Sequence, residues 1–283
     1  MPTDRIPSLL IKNLSRRRQE LVRPIFERPQ DYILVSARGA ARRLKVHPAT
    51  ILRTVTRMGF SGYPEFLKYL RDLALLHTTP LDLMRNTRNR ELGLPAYLWD
   101  SLDHDLKNID ALRHTIDFSQ LHSVVKRLYS APRILILGGD LASNLSNFLH
   151  YSLALIGLPA FSATTSGLVV QMTQNLNNRD VVIAISFGRG LRQTIEGLKR
   201  ARDNGAYGVG ITDTSLSPIA RYANTVFLTS IDGLSYGGSY VAPMALLNLF
   251  SLVCANYRRA RTVARLKVAE QEQREGYRWY SEE

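Results

Sequence analysis

The carboxyl-terminal half of the chain alternates short, continuous apolar runs with segments of helical length. The apolar runs lie at residues 133–137, 159–161, 181–185, 207–211 and 225–229. Longer stretches separate them, notably 141–156 and 191–204. Runs that are apolar throughout are typical of strands buried on both faces. The pattern therefore predicts an α/β domain with a parallel sheet between two helical layers, a three-layer, Rossmann-like arrangement. Ligands of such folds bind at the carboxyl ends of the strands.

The amino-terminal residues 1–78 show helical periodicity instead. Ile51, Val55 and Met58 recur at helical spacing, which predicts the buried face of a short helix. Pro48 suits the first turn of that helix, where its missing N–H costs nothing. The pattern predicts an all-α domain over this part of the chain.

A second face of the same helix carries hydroxyl and guanidinium groups. Its residues are Thr50, Arg53, Thr54 and Arg57. These side chains suit the major groove of DNA, because a guanidinium group can pair with guanine edges or with phosphates. The other interpretation is an amphipathic helix whose charged face is merely solvated.

The segment before this helix favours the DNA-binding interpretation. Small apolar residues recur on one face of a preceding short helix, at Ala37, Ala40, Ala41 and Leu44. Small residues let two helices cross closely, as in a helix-turn-helix whose second helix enters the groove. The residues expected to bind DNA are His47, Ala49, Thr50, Arg53, Thr54 and Arg57. Of these, His47 is expected to cap the helix or to touch the DNA backbone.

The charge distribution also points to a nucleic-acid partner. The chain has 283 residues, enough for two domains that each bury a core, and a formal net charge of +13. Residues 1–78 carry 15 Lys and Arg against 6 Asp and Glu, residues 79–130 carry 7 against 7, and residues 131–283 carry 15 against 11. The positive excess lies where phosphate neutralisation requires it, although basic tracts such as 16–18 also serve solubility.

The remaining segments follow from the same patterns. Residues 79–130 are predicted to form a helical connector with one apolar stripe, at Leu94, Leu98, Leu102, Leu106 and Ile109. Residues 131–260 carry the α/β pattern, and 261–283 are predicted to form a charged helical tail of open role. The apolar stretch 240–255 is shorter than the roughly 20 residues of a membrane span, so it is predicted to be a core helix or a contact between subunits.

The sequence offers little for catalysis or for a metal. The single cysteine, Cys254, lies in an apolar run and is predicted to be a small buried hydrophobe. The six histidines are dispersed, so neither a metal nor another cofactor is predicted. Ser143 and Ser186 lack a recognisable His and Asp arrangement, so no catalytic residue is assigned. A soluble protein in the reducing cytoplasm is expected, because arginines interrupt the amino terminus before a signal peptide could form.

Two glycine-containing turns follow strands and run into helices, at 138–144 and 186–191. Such turns offer backbone N–H groups and the positive end of a helix dipole to an anion. The predicted ligand-binding residues are Gly138, Ser143, Asn144, Ser186, Gly188 and Arg189. Arg189 would supply the charge-assisted contact. The other interpretation of Arg189 is a salt bridge to Asp140 that closes an empty site.

The amino-terminal motif resembles the DNA-binding domain of RpiR-type bacterial transcription regulators. The resemblance rests on residues 46–53 (VHPATILR) and 58–66 (MGFSGYPEF). The family usually has a turn glycine where this chain has Lys45, and a serine cap where it has His47. The resemblance implies a helix-turn-helix, and both departures could change how the second helix enters the groove.

The second half resembles the sugar isomerase (SIS) domain, the usual effector domain of RpiR-type regulators. The shared landmarks lie at 134–157, 180–196, 205–206, 211–212 and 217–220. The family's phosphate-binding loops typically read Gly-x-Gly-x-Ser and Ser-x-Ser-Gly-x-Thr. Here Asp140 replaces a glycine, Ala142 replaces the serine and Leu191 replaces the threonine. These changes indicate discrimination against simple hexose phosphates and favour a carboxylated or otherwise altered metabolite.

Together these features predict a DNA-binding transcription regulator whose SIS domain senses a small, anionic, carbohydrate-derived metabolite. Because one helix-turn-helix covers one half-site, a homodimer or homotetramer is expected on a near-palindromic operator in double-stranded DNA. One alternative is a DNA-binding protein whose degenerate, ligand-free SIS domain serves only for dimerisation. Another is a sugar-phosphate isomerase, for which Glu196 is the only acid just beyond the second loop.

Overall fold

The computed structural model describes residues 8–11, 14–77, 81, 94–234 and 237–275. The chain divides into two compact units, residues 1–78 and residues 79–283. The division falls where the sequence changes from strongly basic to charge-balanced. Each unit buries its own apolar core.

The described part of the first unit is helical. Its helices are α1 (Ser8–Ile11), α2 (Arg16–Glu27), α3 (Ala37–Arg43), α4 (Pro48–Arg57) and α5 (Tyr63–His77), with a 3₁₀ turn at Pro29–Asp31. In the core, the Phe66 ring lies edge-on to the rings of Phe26 and Phe60, with centroid separations of 6.2 and 5.3 Å. Such edge-to-face contacts add to the stabilisation from burial. The prediction of an all-α unit is confirmed.

Helices α3 and α4 form a helix-turn-helix pair. The Ser36 hydroxyl caps α3 by accepting a hydrogen bond from the Gly39 N–H at 3.2 Å. Ala40 and Ala41 are buried in the contact of α3 with its neighbours. Their small side chains let α3 and α4 pack closely, as their spacing in the sequence predicts.

The second unit is built from strands and helices in alternation after two leading helices. The helices are α6 (Leu94–Thr115), α7 (Phe118–Ser130), α8 (Ala142–Leu155), α9 (Ser166–Thr173), α10 (Arg192–Asp203), α11 (Pro218–Tyr222), α12 (Val241–Tyr257) and α13 (Arg259–Glu275). The strands are β1 (Ile134–Leu137), β2 (Ala160–Ala163), β3 (Val181–Ile185), β4 (Tyr207–Thr212) and β5 (Thr225–Leu228).

The five strands form one parallel sheet in the order β2-β1-β3-β4-β5. In register, Ile134 of β1 pairs with Ala160 of β2 on one side and with Val181 of β3 on the other. Every residue of β1 and β3 is buried, because helices cover both faces of the sheet. The predicted α/β class is therefore confirmed. The carboxyl ends of all five strands lie along one edge, where the two glycine-containing turns follow β1 and β3.

The two helical layers have separate apolar cores. Helices α7, α8 and α12 cover one face of the sheet, and α9, α10 and α11 cover the other. The expectation that all of 79–130 is a connector needs correction, because α7 is part of the core. Its residues Leu121, Val124 and Leu128 are fully buried against the sheet.

Helix α6 instead leaves an apolar stripe on the surface. Its exposed residues are Leu98, Trp99, Leu102, Leu106 and Ile109. The opposite side of α6 packs against α12, and the Asn108 amide donates to the carbonyl oxygen of Asp232 at 2.7 Å. The apolar spacing seen in the sequence thus belongs to an outward face and not to the core.

Helix α12 forms most of the apolar stretch 240–255, and one of its faces is core. The buried residues on that face are Ala242, Pro243, Leu246, Leu247, Phe250 and Cys254. Burial raises the pKa of the Cys254 thiol to about 12, so the thiol is protonated and inert at neutral pH. None of the helices in the described ranges is both long and apolar enough to cross a membrane.

Helix α13 begins at Arg259, slightly before the predicted charged tail. Its first turns are anchored on the rest of the unit, because the Arg261 guanidinium donates to the carbonyl oxygen of Gly157 at 3.1 Å. Gly157 ends the α8 segment with a φ of +80°, a conformation that favours glycine. The Arg265 side chain packs over the same glycine.

Candidate nucleic-acid interface and effector site

The amino end of α4 is capped by a histidine side chain. The Nδ1 atom of His47 accepts a hydrogen bond from the Ala49 N–H at 3.3 Å. This contact takes the place of the serine cap that the family resemblance implies, so the substitution preserves the start of the helix. The imidazole is exposed beside the first turn of α4.

The turn before α4 places Lys45 in the left-handed region, with a φ of +54°. The turn is closed by the Val46 N–H, which donates to the carbonyl oxygen of Ala41 at 2.9 Å. A left-handed backbone is the reason that glycine is usual at this position in the family. Lysine forms the same turn at a cost of about 1–2 kcal/mol.

The buried face of α4 is the predicted one, with an addition. Ile51, Val55 and Met58 are all buried. Thr54 is also buried, with 0% of its surface exposed, and its hydroxyl donates to the carbonyl oxygen of Thr50 at 2.7 Å. The assignment of Thr54 to the DNA-facing side is therefore wrong. Thr54 lies one turn before Met58 on the buried side of the helix. The Thr54 methyl group joins the core, and its hydroxyl is satisfied by a backbone carbonyl.

The outward face of α4 is centred on Ala49, Arg53 and Thr56. Arg53 and Thr56 are exposed, and Ala49 is half-buried one turn before Arg53. Leu52 flanks this face and is 45% exposed. The sequence analysis missed Thr56 and Leu52. The signal was available for Thr56, which lies nearly opposite the buried face in a helical projection, whereas Leu52 lies beside that face.

Two further predicted residues, Thr50 and Arg57, lie on the side of α4 that faces α2. Together with the turn and with the start of α2 they line a groove of about 650 Å³. The groove is lined by Ser15, Arg17, Arg18, Leu21, Lys45, Val46, His47, Thr50 and Arg57. The first unit thus presents a helix face with a cationic groove along its side.

At the other candidate site, the turn after β1 is tightly folded. Asp140 adopts a φ of +50°, which explains why the family has glycine at this position. The N–H groups of Ser143 and Asn144 donate to the carbonyl oxygens of Asp140 and Leu141, at 3.0 and 3.2 Å. These two N–H groups, predicted to bind an anion, are already engaged within the turn.

Gly138 serves helix packing. A Cβ atom at this position would lie 2.1 Å from the Ser146 hydroxyl and 2.7 Å from the carbonyl oxygen of Ala142. A Cβ atom at Gly139 would likewise lie 2.2 Å from the Leu191 side chain. Because these two positions have no side chain, the chain that leaves β1 can pass closely between α8 and the start of α10. The ligand contact predicted for Gly138 needs correction, because the residue is buried beneath the turn.

The turn after β3 is closed by hydrogen bonds of its own. The Ser186 hydroxyl accepts a hydrogen bond from the Leu191 N–H at 3.0 Å, and the Gly188 N–H donates to the Asp213 carboxylate at 2.9 Å. Burial raises the pKa of Asp213, and the hydrogen bond from Gly188 partly opposes that shift. Two of the three residues predicted to bind a ligand in this turn, Ser186 and Gly188, therefore have partners within the chain.

Arg189 is exposed at the tip of this turn. Within the described ranges it forms no ion pair with Asp140, so the salt bridge considered as an alternative is not formed. The side chain is free to meet an anion that approaches the edge of the sheet. Of the predicted ligand residues, Arg189 is the one whose charged group faces solvent.

Tyr240 and Asp213, which the sequence analysis did not assign, also lie at this edge of the sheet. Tyr240 lies edge-on to Phe187, with ring centroids 5.4 Å apart. Its pKa is raised mainly by burial, and further by the nearby negative charges of Asp213 and Asp140. Asp140, Asp213 and Tyr240 are far apart in the sequence and come together only in the folded domain.

A separate cavity of about 330 Å³ lies between α9 and α10, beside this edge. The Ser166 hydroxyl donates to the Gln193 side chain at 2.6 Å, and Gln193 in turn donates to the carbonyl oxygen of Thr164 at 2.8 Å. Glu196 borders the cavity with its side chain exposed. In the described part of the chain, no cluster of His, Cys, Asp and Glu side chains could hold a metal ion.

Comparison with known proteins agrees with this architecture. Residues 127–252 match the SIS domain. An uncharacterized HTH-type transcriptional regulator of Haemophilus influenzae is 24% identical over 87% of this chain and 86% of its own length. The HTH-type transcriptional regulator HexR of Escherichia coli K12 is 24% identical over 75% of this chain and 72% of its own length.

Solved structures show the same fold. The sugar isomerase domain of an RpiR transcription factor from Sphaerobacter thermophilus covers 63% of this chain and 98% of its own, with 24% identity and a TM-score of 0.59. The Vibrio vulnificus NanR protein, solved in complex with ManNAc-6P, covers 95% of this chain and 99% of its own, with 18% identity and a TM-score of 0.62.

The fold and the comparisons define the class of protein as a helical unit with a helix-turn-helix pair followed by a SIS domain. The resemblance to RpiR-type regulators is confirmed, since similarity to HTH-type transcriptional regulators extends over most of the chain and the carboxyl-terminal part matches the SIS domain.

Proposed function

We propose that the protein is a cytoplasmic, DNA-binding transcription regulator whose SIS domain responds to a small, anionic, carbohydrate-derived metabolite. The observation that carries the proposal is the outward face of α4, on which Arg53 and Thr56 are exposed while Ile51 and Val55 hold the helix in the core. A helix presented in this way by a helix-turn-helix can enter the major groove. The net charge of +9 on residues 1–78 supports the same conclusion.

Selection of binding duplexes from a random DNA pool tests this function. The full chain should enrich a near-palindromic sequence whose half-sites are about one helical turn apart, or a multiple of that distance. A pool that shows no enrichment over several rounds, at low salt and with folded protein, would reject a sequence-reading function.

We propose that the effector binds at the carboxyl-terminal edge of the sheet and that the Arg189 guanidinium contacts its anionic group. The NanR structure contains a sugar phosphate, which supports a related ligand class for this chain. The hydroxyl groups lost from the two turns and the added carboxylate of Asp140 disfavour a simple hexose phosphate, so a carboxylated or otherwise altered metabolite is the ligand class that we propose. The ligand must either break the hydrogen bond between Gly188 and Asp213 or approach Arg189 from the solvent side.

A melting-temperature screen of the full chain tests the effector proposal. Sugar acids, sugar phosphates and other carboxylates are compared, since a ligand that prefers the folded state raises its stability. A stabilising compound should lose its effect in Arg189→Ala and retain it in Arg179→Ala, an exposed control on the other end of the sheet. Stabilisation by an unmodified hexose phosphate that survives Arg189→Ala would contradict both the ligand class and the anchor.

An isomerase activity is not favoured. Aldose–ketose isomerisation needs a general base close to the substrate carbon. Glu196 lies on the second turn of α10 and borders the cavity between α9 and α10, with its side chain exposed. The relatives named as transcriptional regulators support the same view. Turnover of a sugar phosphate by the purified protein, abolished by Glu196→Gln, would overturn it.

We further propose that the active form is at least a dimer and that α6 forms its contact. The exposed stripe on α6 includes Trp99, which is 69% exposed, and four large aliphatic residues. Their combined apolar surface is of the order of the largest patches found on monomers, about 300–600 Å², which often mark interfaces. One face of α12 belongs to the core, but Leu252 on the same helix is 58% exposed, so a subunit contact through the 240–255 run stays a prediction. Sedimentation of the Leu102→Arg variant should show monomers, and a stable wild-type monomer would contradict the proposal.

A further inference from the structure

The groove between α2 and α4 has a chemistry that the outward face of α4 does not share. On one wall, Arg17 and Arg18 project from the first turn of α2; on the other, Lys45 and Arg57 come from the turn and the end of α4. The groove holds about 650 Å³. Four cationic side chains and the exposed imidazole of His47 therefore surround one open channel. None of the described residues that line it carries a carboxylate.

The backbone of α2 adds to this positive potential. The helix has no acidic residue in its first turn, and the side chain of its N-cap, Ser15, makes no capping hydrogen bond. The positive end of the helix dipole is therefore uncompensated where it meets the groove. The acids of α2, Glu20 and Glu27, do not line the groove, and Glu27 is paired with Arg23 at 2.8 Å.

The polar side chains of α4 point in two directions, some into the groove and others outward. Thr50 and Arg57, two turns apart on the same side, line the groove. Ala49, Arg53 and Thr56 are centred on the outward face and do not line it. A helix that lies in the major groove presents its outward face to base edges and its sides to the sugar-phosphate backbone.

We propose that the α2–α4 groove binds the phosphodiester backbone of the DNA that α4 reads. Arg17, Arg18, Lys45 and Arg57 neutralise phosphates there, so Arg57 is a backbone contact and not a reader of bases. This inference rests on the proposed function, and it gives the residues of one basic surface two distinct roles. Phosphates accept any well-placed cation, whereas bidentate recognition of guanine requires the guanidinium fork.

The salt dependence of binding to a duplex of arbitrary sequence tests the proposal. Such a duplex, about four helical turns long, reports backbone contacts alone. The slope of log affinity against log salt is negative, and each lost phosphate contact should reduce its magnitude by about one. The double variant Arg17→Ala/Arg57→Ala should therefore reduce the magnitude by about two. The control is Arg23→Ala, which removes a positive charge from α2 outside the groove and should change the slope far less.

Substitution by lysine separates the two roles of arginine. Arg57→Lys and Arg17→Lys should bind the arbitrary duplex within about twofold of the wild type, because a phosphate accepts an ammonium group. Arg53→Lys should keep the same affinity for that duplex but lose preference at a base position in the selected operator. Melting curves of each variant establish that the first unit is folded.

Two results would overturn the inference while leaving the proposed function intact. One is a wild-type slope in the Arg17→Ala/Arg57→Ala variant. The other is a change of preference at a single base position in Arg57→Lys with the arbitrary-sequence affinity unaltered. Failure of the folded wild-type protein to bind any duplex at low salt would instead refute the proposed function, and the inference with it.

Discussion

The burial of Thr54 leads to a prediction that distinguishes the structure from the sequence pattern. Thr54 occupies a DNA-facing position by spacing alone, yet none of its surface is exposed and its hydroxyl donates to the carbonyl oxygen of Thr50. The variant Thr54→Val keeps the shape of the side chain and replaces the hydroxyl by a methyl group. We expect it to fold and to bind the operator as the wild-type protein does.

The expected magnitude follows from two opposing contributions. Loss of the hydrogen bond costs about 1 kcal/mol. The Thr50 carbonyl oxygen still accepts the backbone N–H of the next turn, so no buried acceptor is left without a partner. The added buried methyl group contributes about 0.8 kcal/mol in the other direction. The free energy of unfolding of the first unit should therefore change by less than about 1 kcal/mol.

The assay compares operator affinity and thermal unfolding for Thr54→Val and Thr56→Val. Thr56 is exposed on the outward face, so its loss should weaken operator binding by about 1 kcal/mol, roughly fivefold, without destabilising the unit. A tenfold loss of affinity in folded Thr54→Val, with Thr56→Val unaffected, would refute the assignment of the two faces.

Three further predictions concern positions that the structure singles out. Lys45→Gly should raise the free energy of unfolding of the first unit by about 0.5–1 kcal/mol in urea titrations, because relief of the left-handed backbone exceeds the extra conformational entropy that glycine loses on folding, and Lys45→Val should lower it. Gly138→Ala should cost the second unit about 1–3 kcal/mol, because its methyl group meets Ser146 and the backbone of α8, whereas Gly167→Ala meets no atom within 4 Å and should not destabilise. Cys254 should resist alkylation of the native protein at pH 8. Its folded-state pKa of about 12 lies above the unfolded value, so stability should fall as the pH rises above about 9, and less steeply in Cys254→Val. Rapid alkylation, or equal destabilisation by the two alanines, would contradict the packing described.

The sheet could be predicted because its signal is local and redundant. Strands that are buried on both faces must be apolar at every position, so β1 and β3 stand out from sequence alone. The same holds for the buried face of α4, where three large apolar residues leave little ambiguity. The boundary near residue 78 follows from the change in charge.

The site could be predicted only in part, because its details depend on which polar groups are satisfied within the chain. Threonine suits both a core edge and a polar face, so the spacing of Thr54 could not decide its direction. Likewise, nothing in the turn after β3 reveals that the Gly188 N–H is taken by Asp213, which lies 25 positions further along the chain. Such partners are set by strand order, and they become visible only once the sheet is assembled.

The central claim is that the outward face of α4 reads base edges, and selection of operators by the Arg53→Ala variant tests it most directly. The variant and the wild-type protein are carried through the same random-pool selection, with affinities then measured at one salt concentration. The account predicts that Arg53→Ala loses about 1–3 kcal/mol at the wild-type operator and relaxes preference at one base position in each half-site. Selection of the unchanged sequence with wild-type affinity would contradict it.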